Sequence, residues 1–524
     1  MAADKFLRGA MVLTAAGLLV KILGSVNRIL LSRFLGGEGI GLYQIAYPVF
    51  LLVLAVSSAG VPIAISILVA EKVAKGQYAA ARHTFKISLG IMLAMGSIFA
   101  ILLYFVAGWM INTGIVKDSR AYLAIISLVP AVILSSVLAS FRGYFQGFQM
   151  MQPTAVSQIF EQFVRVMTMI GLAYYLLPYG LEYAAAGAAF GAVPGAVAGL
   201  IVLSYFYCRN RRAWEQKTLL VEQDRPEKVR QIAKRMLLLA LPVTCANIMV
   251  PASNILDMLL VPNCLYSIGY SVEQSTTLYG YLTGMGLPLV LMSTIVTLSL
   301  ETGIVPAISE AYTLGDTKAI ADKARMAMNI CCLLTFPAMV GLFVLAEPIA
   351  KMIYNVAQAG VIIRHLSVVA CLIGVYQVST GILQGLGKIN VPMVNMFIGL
   401  TAKSVAILLL VVEPYNVLGA AWATDLNLLL AAGLNLLSIK KMGITFVWGK
   451  LLRMFVAALT MGFVATVLYP VLTVRLGNTL AVCLTILVAG CVYAAMLLVV
   501  KAVDKELLIG LPIIGKRLER LVRK

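Results

Sequence analysis

The chain is 524 residues long, 61% apolar and 12% charged. Soluble domains run to roughly 45–50% apolar and about 25% charged, so a soluble enzyme, a disordered chain and a disulfide scaffold are excluded. The formal charge of +19 would suggest nucleic acid on a soluble surface. On a chain of long apolar runs it asks instead on which side of a membrane the charges fall.

A helix crosses the hydrocarbon core in about 20 apolar residues. Fourteen such runs follow one another, at about 9–31, 41–70, 85–108, 121–141, 154–177, 184–207, 236–260, 277–303, 326–346, 361–386, 391–412, 417–439, 452–472 and 478–500. Barrel strands are short and alternate in polarity, whereas these runs are continuous. The expected fold class is therefore an all-α polytopic membrane protein with 14 transmembrane helices. The first run carries Lys21 and Arg28 and lacks a small-residue cleavage site, so it reads as an uncleaved first helix. The longest connection, 208–235, is polar and basic. With the N-terminus placed in the cytoplasm, 31 of the 41 lysines and arginines fall on the inside, six fall outside and four lie within spans. That asymmetry supports an even span count and cytoplasmic N- and C-termini; an inner-membrane location is the expectation that accompanies them. The net charge is then topology plus attraction to anionic lipid headgroups, and nucleic acid is not an expected partner.

The chain repeats itself once. Gly60-Val-Pro-Ile-Ala-Ile-Ser66 in span 2 resembles Gly303-Ile-Val-Pro-Ala-Ile-Ser309 in span 8, and Phe145-Gln-Gly147 resembles Leu383-Gln-Gly385 at an offset of 238. Pro153 and Pro392 open the spans that follow. Two parallel six-helix repeats plus two C-terminal helices result. The chain divides into a first lobe over 1–207, a basic cytoplasmic linker over 208–235, a second lobe over 236–440, helices 13 and 14 over 441–500 and a basic cytoplasmic tail over 501–524. Parallel repeats are a transporter architecture, with substrate held between the halves.

Chemistry for catalysis is sparse. The two histidines, His83 and His365, lie near span ends, and the eight cysteines show no zinc spacing. Gly510-Leu-Pro-Ile-Ile-Gly515-Lys516-Arg517 mimics a phosphate-loop spacing, but Arg stands where Ser or Thr must hold magnesium. No catalytic residue, metal or cofactor is expected.

Charges within spans are costly at mid-bilayer and face the bundle interior or water. Lys21 and Arg28 have no acid in their own span and are candidates for holding an anion. Arg165 and Lys403 are again 238 residues apart. Glu161 precedes Arg165 by one helical turn, which brings the side chains together, and Asp425 falls near the depth of Lys403 on the next span. These read as gating or structural pairs. Asp257 and Glu301 fall near span ends. Buried asparagines, Asn27, Asn247, Asn254 and Asn395, read first as interhelical hydrogen bonds.

Gly41-Leu-Tyr-Gln44, Gly60-Val-Pro-Ile-Ala-Ile-Ser66, Arg142-Gly-Tyr-Phe-Gln-Gly147, Gln152-Pro-Thr-Ala-Val-Ser-Gln-Ile-Phe-Glu-Gln162, Leu177-Pro-Tyr-Gly-Leu-Glu-Tyr-Ala-Ala-Ala-Gly187, Val305-Pro-Ala-Ile-Ser-Glu310 and Pro512-Ile-Ile-Gly-Lys516 resemble the stage V sporulation protein B / YtgP group. That group is a MurJ-like branch of the multidrug/oligosaccharidyl-lipid/polysaccharide exporter superfamily. The resemblance implies the MATE/MurJ-like fold, flipping of lipid II or a related undecaprenyl-pyrophosphate-linked sugar, a cationic cavity and a prenyl-tail groove at helices 13 and 14. The family's first-helix basic pair matches Lys21, while its second position falls at Asn27 with Arg28 one residue later. Lys21, Asn27 and Arg28 are thus the substrate-binding candidates. Family arginines of helices 2 and 8 are absent, their places taken by Leu52 or Val53 and by Thr283. Asp257, Asn395 and Thr424 match a sodium site found in some members, but Gly399 stands where a second acid is expected, which counts against sodium coupling.

The expectation is a non-enzymatic flippase working by alternating access on a lipid-linked sugar, with membrane lipids and the cell-wall synthesis or sporulation machinery as partners. The rivals are a polysaccharide or O-antigen-type lipid-linked oligosaccharide flippase, a MATE-like drug/cation antiporter, a membrane-bound polymerase or acyltransferase, and a scaffold without transport.

Overall fold

The computed structural model describes residues 2–58, 60–218 and 227–502; the basic tail from 503 on, with its 510–517 run, lies outside them. The described chain is nearly all helix: α1 (Ala2–Ser58), α2 (Val61–Ala74), α3 (Tyr78–Asn112), α4 (Ala121–Ser127), α5 (Val129–Gly147), α6 (Met151–Leu176), α7 (Leu181–Phe190), α8 (Ala192–Thr218), α9 (Val229–Ser267), α10 (Val272–Tyr279), α11 (Leu287–Met292), α12 (Ile295–Thr313), α13 (Thr317–Val344), α14 (Ala346–Tyr354), α15 (Ala359–Gly385), α16 (Asn390–Leu410), α17 (Val417–Lys441) and α18 (Trp448–Val499). Among the described residues, ten helical segments are long and apolar enough to cross a membrane, or eleven if one bent pair is a single span. Two of the ten, Ala15–Ala74 and Trp448–Val499, are 60 and 52 residues long, far beyond the ~20 a bilayer requires. Each contains a glycine in a conformation that side chains avoid: Gly36 has φ 67° inside α1 and Gly477 has φ 73° inside α18.

The chain forms two compact units, 1–280 and 281–524. The sequence places a division at 208–235 instead. Two facts explain the difference. Residues 208–218 hold no helix breaker and simply extend α8. Beyond them, α9 packs on α1, α2 and α3, setting Ile232, Met236 and Ala240 into one core with Val61, Ile65 and Phe85. The start of α9 is also pinned electrostatically. Glu227 pairs with Lys72, and Arg235 meets Glu71 at 2.6 Å and Glu227 at 3.7 Å. Lys72 and Arg235 hold the Glu227 carboxyl below its ordinary range, the Lys72 hydrogen bond being the largest cause.

Small residues set the helix spacing, as they do where lipid supplies no hydrophobic drive between helices. Gly187, Gly191, Gly195 and Gly199 recur every fourth residue along α7 and α8, a single ridge facing α6. A Cβ at Gly195 would stand 2.8 Å from the Arg165 Cβ and 2.9 Å from the Glu161 carbonyl. The two repeated motifs pack on one another inside each unit. Gly143 and Gly147 of α5 lie against Pro62, Ile65 and Val69 of α2; Gly381 and Gly385 of α15 lie against Ile304, Val305 and Ile308 of α12.

Candidate functional site

The first unit concentrates charge at one place. On α6, the Glu161 carboxylate accepts from Arg165 Nη2 at 2.8 Å on its own helix and from Arg142 Nη2 of α5 at 2.6 Å. The expected pair is therefore a triad. Arg142 also reaches the Ser157 hydroxyl, at 3.4 Å. All three charged side chains are mostly buried, 16–19% exposed. The α8 glycine ridge allows this, because it brings backbone instead of bulk against Glu161 and Arg165.

The second half of α1 supplies aromatics. Tyr43 and Tyr47 stack with ring centroids 5.3 Å apart, one helical turn from each other. Arg165 lies within electrostatic reach of the Tyr43 and Tyr47 phenols, and the Arg28 guanidinium lies 6.0 Å from the Tyr47 ring centroid, within cation–π range. One residue of the group keeps an open valence: Arg165 Nε is buried with no hydrogen-bond partner. Three guanidiniums thus face one carboxylate and two phenols. A buried guanidinium donor left unmade is costly, and an oxyanion is the partner it is built to take.

Lys21 is seven residues before Arg28, so the two share one face of α1 two turns apart. Gly24 lies between them on that face, where a Cβ would come 3.4 Å from Gln162 Nε2 of α6. Lys21 is exposed. Asn27 is 4% exposed and, like Gly24 one turn before it, packs toward α6; its Nδ2 contacts Met169 Sδ at 3.2 Å, and its Oδ1 has no partner. The sequence alone missed Arg142, Tyr43 and Tyr47. Arg142 counted only as a topology charge at a span end, and the tyrosines carried no signal beyond their four-residue spacing.

In the second unit Lys403 is buried, 3% exposed, on α16. Asp425, on α17, buries its Oδ1 without a hydrogen-bond partner, so whatever else it meets, the carboxylate is not saturated as Glu161 is. Asn395 donates to Asn435 Oδ1 at 2.8 Å, and Asn435 donates to Ser379 and Thr380 at 3.1 and 3.2 Å. Thr424 donates to the Ala420 carbonyl of its own helix at 3.0 Å. Neither Asn395 nor Thr424 brings charge, and Gly399 leaves no room for any, because the Asn427 side-chain and backbone oxygens occupy the place of its missing side chain. Among the described residues, no cluster of His, Cys, Asp or Glu suits a metal. Asp257 is buried in α9, whereas Asn247, read from the sequence as buried, is exposed. An apolar groove of about 560 Å³ opens between α13, α15, α17 and the start of α18, lined by Cys332, Phe336, Leu436, Trp448, Leu452 and Phe455 among others.

Residues 6–312 match the polysaccharide biosynthesis protein family. The chain belongs to that family. Residues 282–409 also match MatE. The chain is 32% identical to stage V sporulation protein B of Bacillus subtilis (strain 168), over 99% of this chain and all of that one. It is 27% identical to lipid II flippase MurJ of the same organism, over 77% of this chain and 76% of the relative. Among solved structures, MurJ in an inward closed conformation superposes with a TM-score of 0.67 at 18% identity, covering 93% of this chain and 98% of that one. An inward-facing MATE transporter of the MOP superfamily gives 0.65 at 13%, covering 81% and 94%. The family is one of multi-pass membrane transporters and flippases, not of enzymes.

Proposed function

We propose that this protein flips an undecaprenyl-pyrophosphate-linked cell-wall precursor, lipid II or a close relative, across the cytoplasmic membrane by alternating access. The observation that carries the reading is the arginine cluster of the first unit, with its excess of positive charge and the open Arg165 Nε. A pyrophosphate–sugar headgroup cannot enter hydrocarbon alone. Arg28, Arg142 and Arg165 supply charge-assisted donors for the diphosphate, Lys21 extends the cationic face along α1, and the half-buried Tyr47 stands beside them. The lipid tail never needs to leave apolar surroundings, and the α13–α18 groove offers it a berth. An inside-negative potential favours outward movement of an anion by about 2.3 kcal/mol per charge per 100 mV, so no ATPase is required.

The topology we infer has fourteen crossings and cytoplasmic termini. It counts α1–α2 and α18 as two crossings each, takes the bent pair as one and adds α6, whose internal charges lower its hydropathy. Loop 208–235 and the tail are then inside and loop 262–275 outside. The test is depletion of the protein, followed by measurement of which lipid-linked precursor accumulates on the inner leaflet, paired with flipping by purified protein in liposomes. Accumulation of no precursor, with no flipping of any, would remove the flippase reading and favour a scaffold. External reporter signal from the tail would overturn the topology.

A further inference from the structure

We infer a second, separate anion site, in the second unit: the cavity between α14, the start of α15 and the middle of α18 binds a phosphate-bearing lipid headgroup. Its volume is about 370 Å³, and Glu347, Lys351, Arg364 and Tyr469 stand in its wall together with apolar span residues such as Ala465 and Pro470. The proposal rests on the transport reading only for the leaflet to which it is assigned.

The cavity is built by the local sequence. Helix α14 is amphipathic: Ala346, Ile349 and Ala350 are buried while Glu347 and Lys351 lie on the other face. Asn355, in the left-handed conformation with φ 60°, stops the helix. Gly360, near the start of α15, has no side chain because Glu347 fills that space. One turn later on α15, Arg364 Nη2 meets Glu347 Oε1 at 3.1 Å. The far wall is tied down as well. Tyr469 donates to Asn478 Oδ1 at 2.8 Å, across the Gly477 break of α18, and Asn478 Nδ2 donates to the Pro348 carbonyl at 3.1 Å. Two cations against one carboxylate leave an excess positive charge in a wall that also carries the apolar Val344, Leu345, Ala465 and Pro470. Charge beside hydrocarbon is the pairing a lipid phosphate and its chain require. Only six of the 41 basic residues are assigned to the outer side, and two of the six line this one cavity. Basic residues are scarce on that side, so placing two in a single pocket is not expected of ordinary surface decoration.

The occupant is recognised by its phosphate, and both a phospholipid and the delivered lipid-linked pyrophosphate carry one. The test uses the purified full chain and native mass spectrometry, titrating phosphatidylglycerol against diacylglycerol as the phosphate-free control, with undecaprenyl pyrophosphate as competitor. The wild type should retain phosphatidylglycerol over diacylglycerol. Lys351→Gln and Arg364→Gln should each weaken retention by about fivefold, the effect of one basic group near a membrane surface. Glu347→Gln should strengthen it. Displacement by undecaprenyl pyrophosphate would make the cargo the occupant, and lack of displacement the bulk lipid; both retain the site. If the Lys351→Gln/Arg364→Gln double variant binds as the wild type does, the proposal is wrong. If Glu347→Gln weakens binding as Arg364→Gln does, the Glu347–Arg364 contact is only a strut and the proposal is equally wrong. Binding is read at equilibrium without transport, so a chain that binds here yet flips nothing removes the flippase reading and leaves this site standing.

Discussion

Replacing Glu161 should damage the protein more than replacing either arginine it holds. Glu161→Ala leaves Arg142 and Arg165, two mostly buried guanidiniums, without their shared counter-charge. Breaking a buried pair from one side costs about 3–5 kcal/mol. Arg165→Ala removes its own charge and leaves Glu161 paired with Arg142 at 2.6 Å, so the loss is nearer one charge-assisted hydrogen bond, about 1.5–3 kcal/mol. The Glu161→Ala/Arg165→Ala double variant should not return to wild-type stability, because Arg142 would keep only the long Ser157 contacts of 3.4 Å. Thermal unfolding of detergent-solubilised protein should rank wild type above Arg165→Ala and Arg165→Ala above Glu161→Ala, with the double close to Glu161→Ala. Inorganic pyrophosphate should raise the melting temperature of Glu161→Gln more than that of the wild type, since the vacated counter-charge is then supplied by the ligand. Full recovery in the double would show that Arg165 and Glu161 form an isolated pair and that Arg142 plays no part. Equal response to pyrophosphate in both proteins would detach the cluster from anion binding.

Lys21→Ala and Arg28→Ala should abolish complementation of a depleted strain while membrane levels of the protein stay normal, and Lys21→Arg should be tolerated; loss of the protein itself would make these cations structural. Gly195→Leu should separate α8 from α6, since even a Cβ there stands 2.8 Å from Arg165; unchanged melting would mean the ridge is not under compression. The anchoring of α9 should be acid-labile. Glu227 is held below its ordinary value, so its contribution is complete above the usual carboxylate range, about 4.3, and is lost as pH falls through the depressed value. Amide protection over 232–235, taken relative to the intrinsic exchange rate at each pH, should be high near neutrality and lower in acid, and low at both in Glu227→Gln; protection unaffected by either change would sink this account.

Apolar runs gave away the helices because hydropathy is local, and the sequence windows fall mostly on helix, although several, such as 41–70 and 277–303, run across breaks between helices. The repeated motifs were also legible in kind: their glycines and prolines recur because the same small-residue packing is built in each unit. The unit boundary was not legible. Hydropathy cannot tell that residues 208–218 continue a helix, or that Ile232, inside the linker, and Met236, just past it, complete the core of α2 and α3. Arg165 with Glu161 followed from helical spacing on a single element. Arg142, Tyr43 and Tyr47 did not, because they arrive from α5 and α1, and only tertiary packing brings them to α6.

The equal sequence offset of Arg165 and Lys403 suggests equal roles, and the surroundings argue otherwise. Arg165 sits among a second arginine, a carboxylate shared between two guanidiniums and two nearby phenols, with one donor to spare. The span carrying Lys403 holds instead a neutral amide and hydroxyl network through Asn395, Asn435, Ser379 and Thr380, and Gly399 is packed against Asn427 where no carboxylate could stand. Guanidinium is planar and forks onto phosphate oxygens, whereas an ammonium offers a point charge. The equal offset therefore comes with unequal chemistry. On this argument diphosphate recognition belongs to the first unit, so Arg165→Lys should impair flipping although it preserves charge, while Lys403→Arg should act through packing and show itself in stability. If Arg165→Lys flips at the wild-type rate and Lys403→Arg does not, the assignment is reversed.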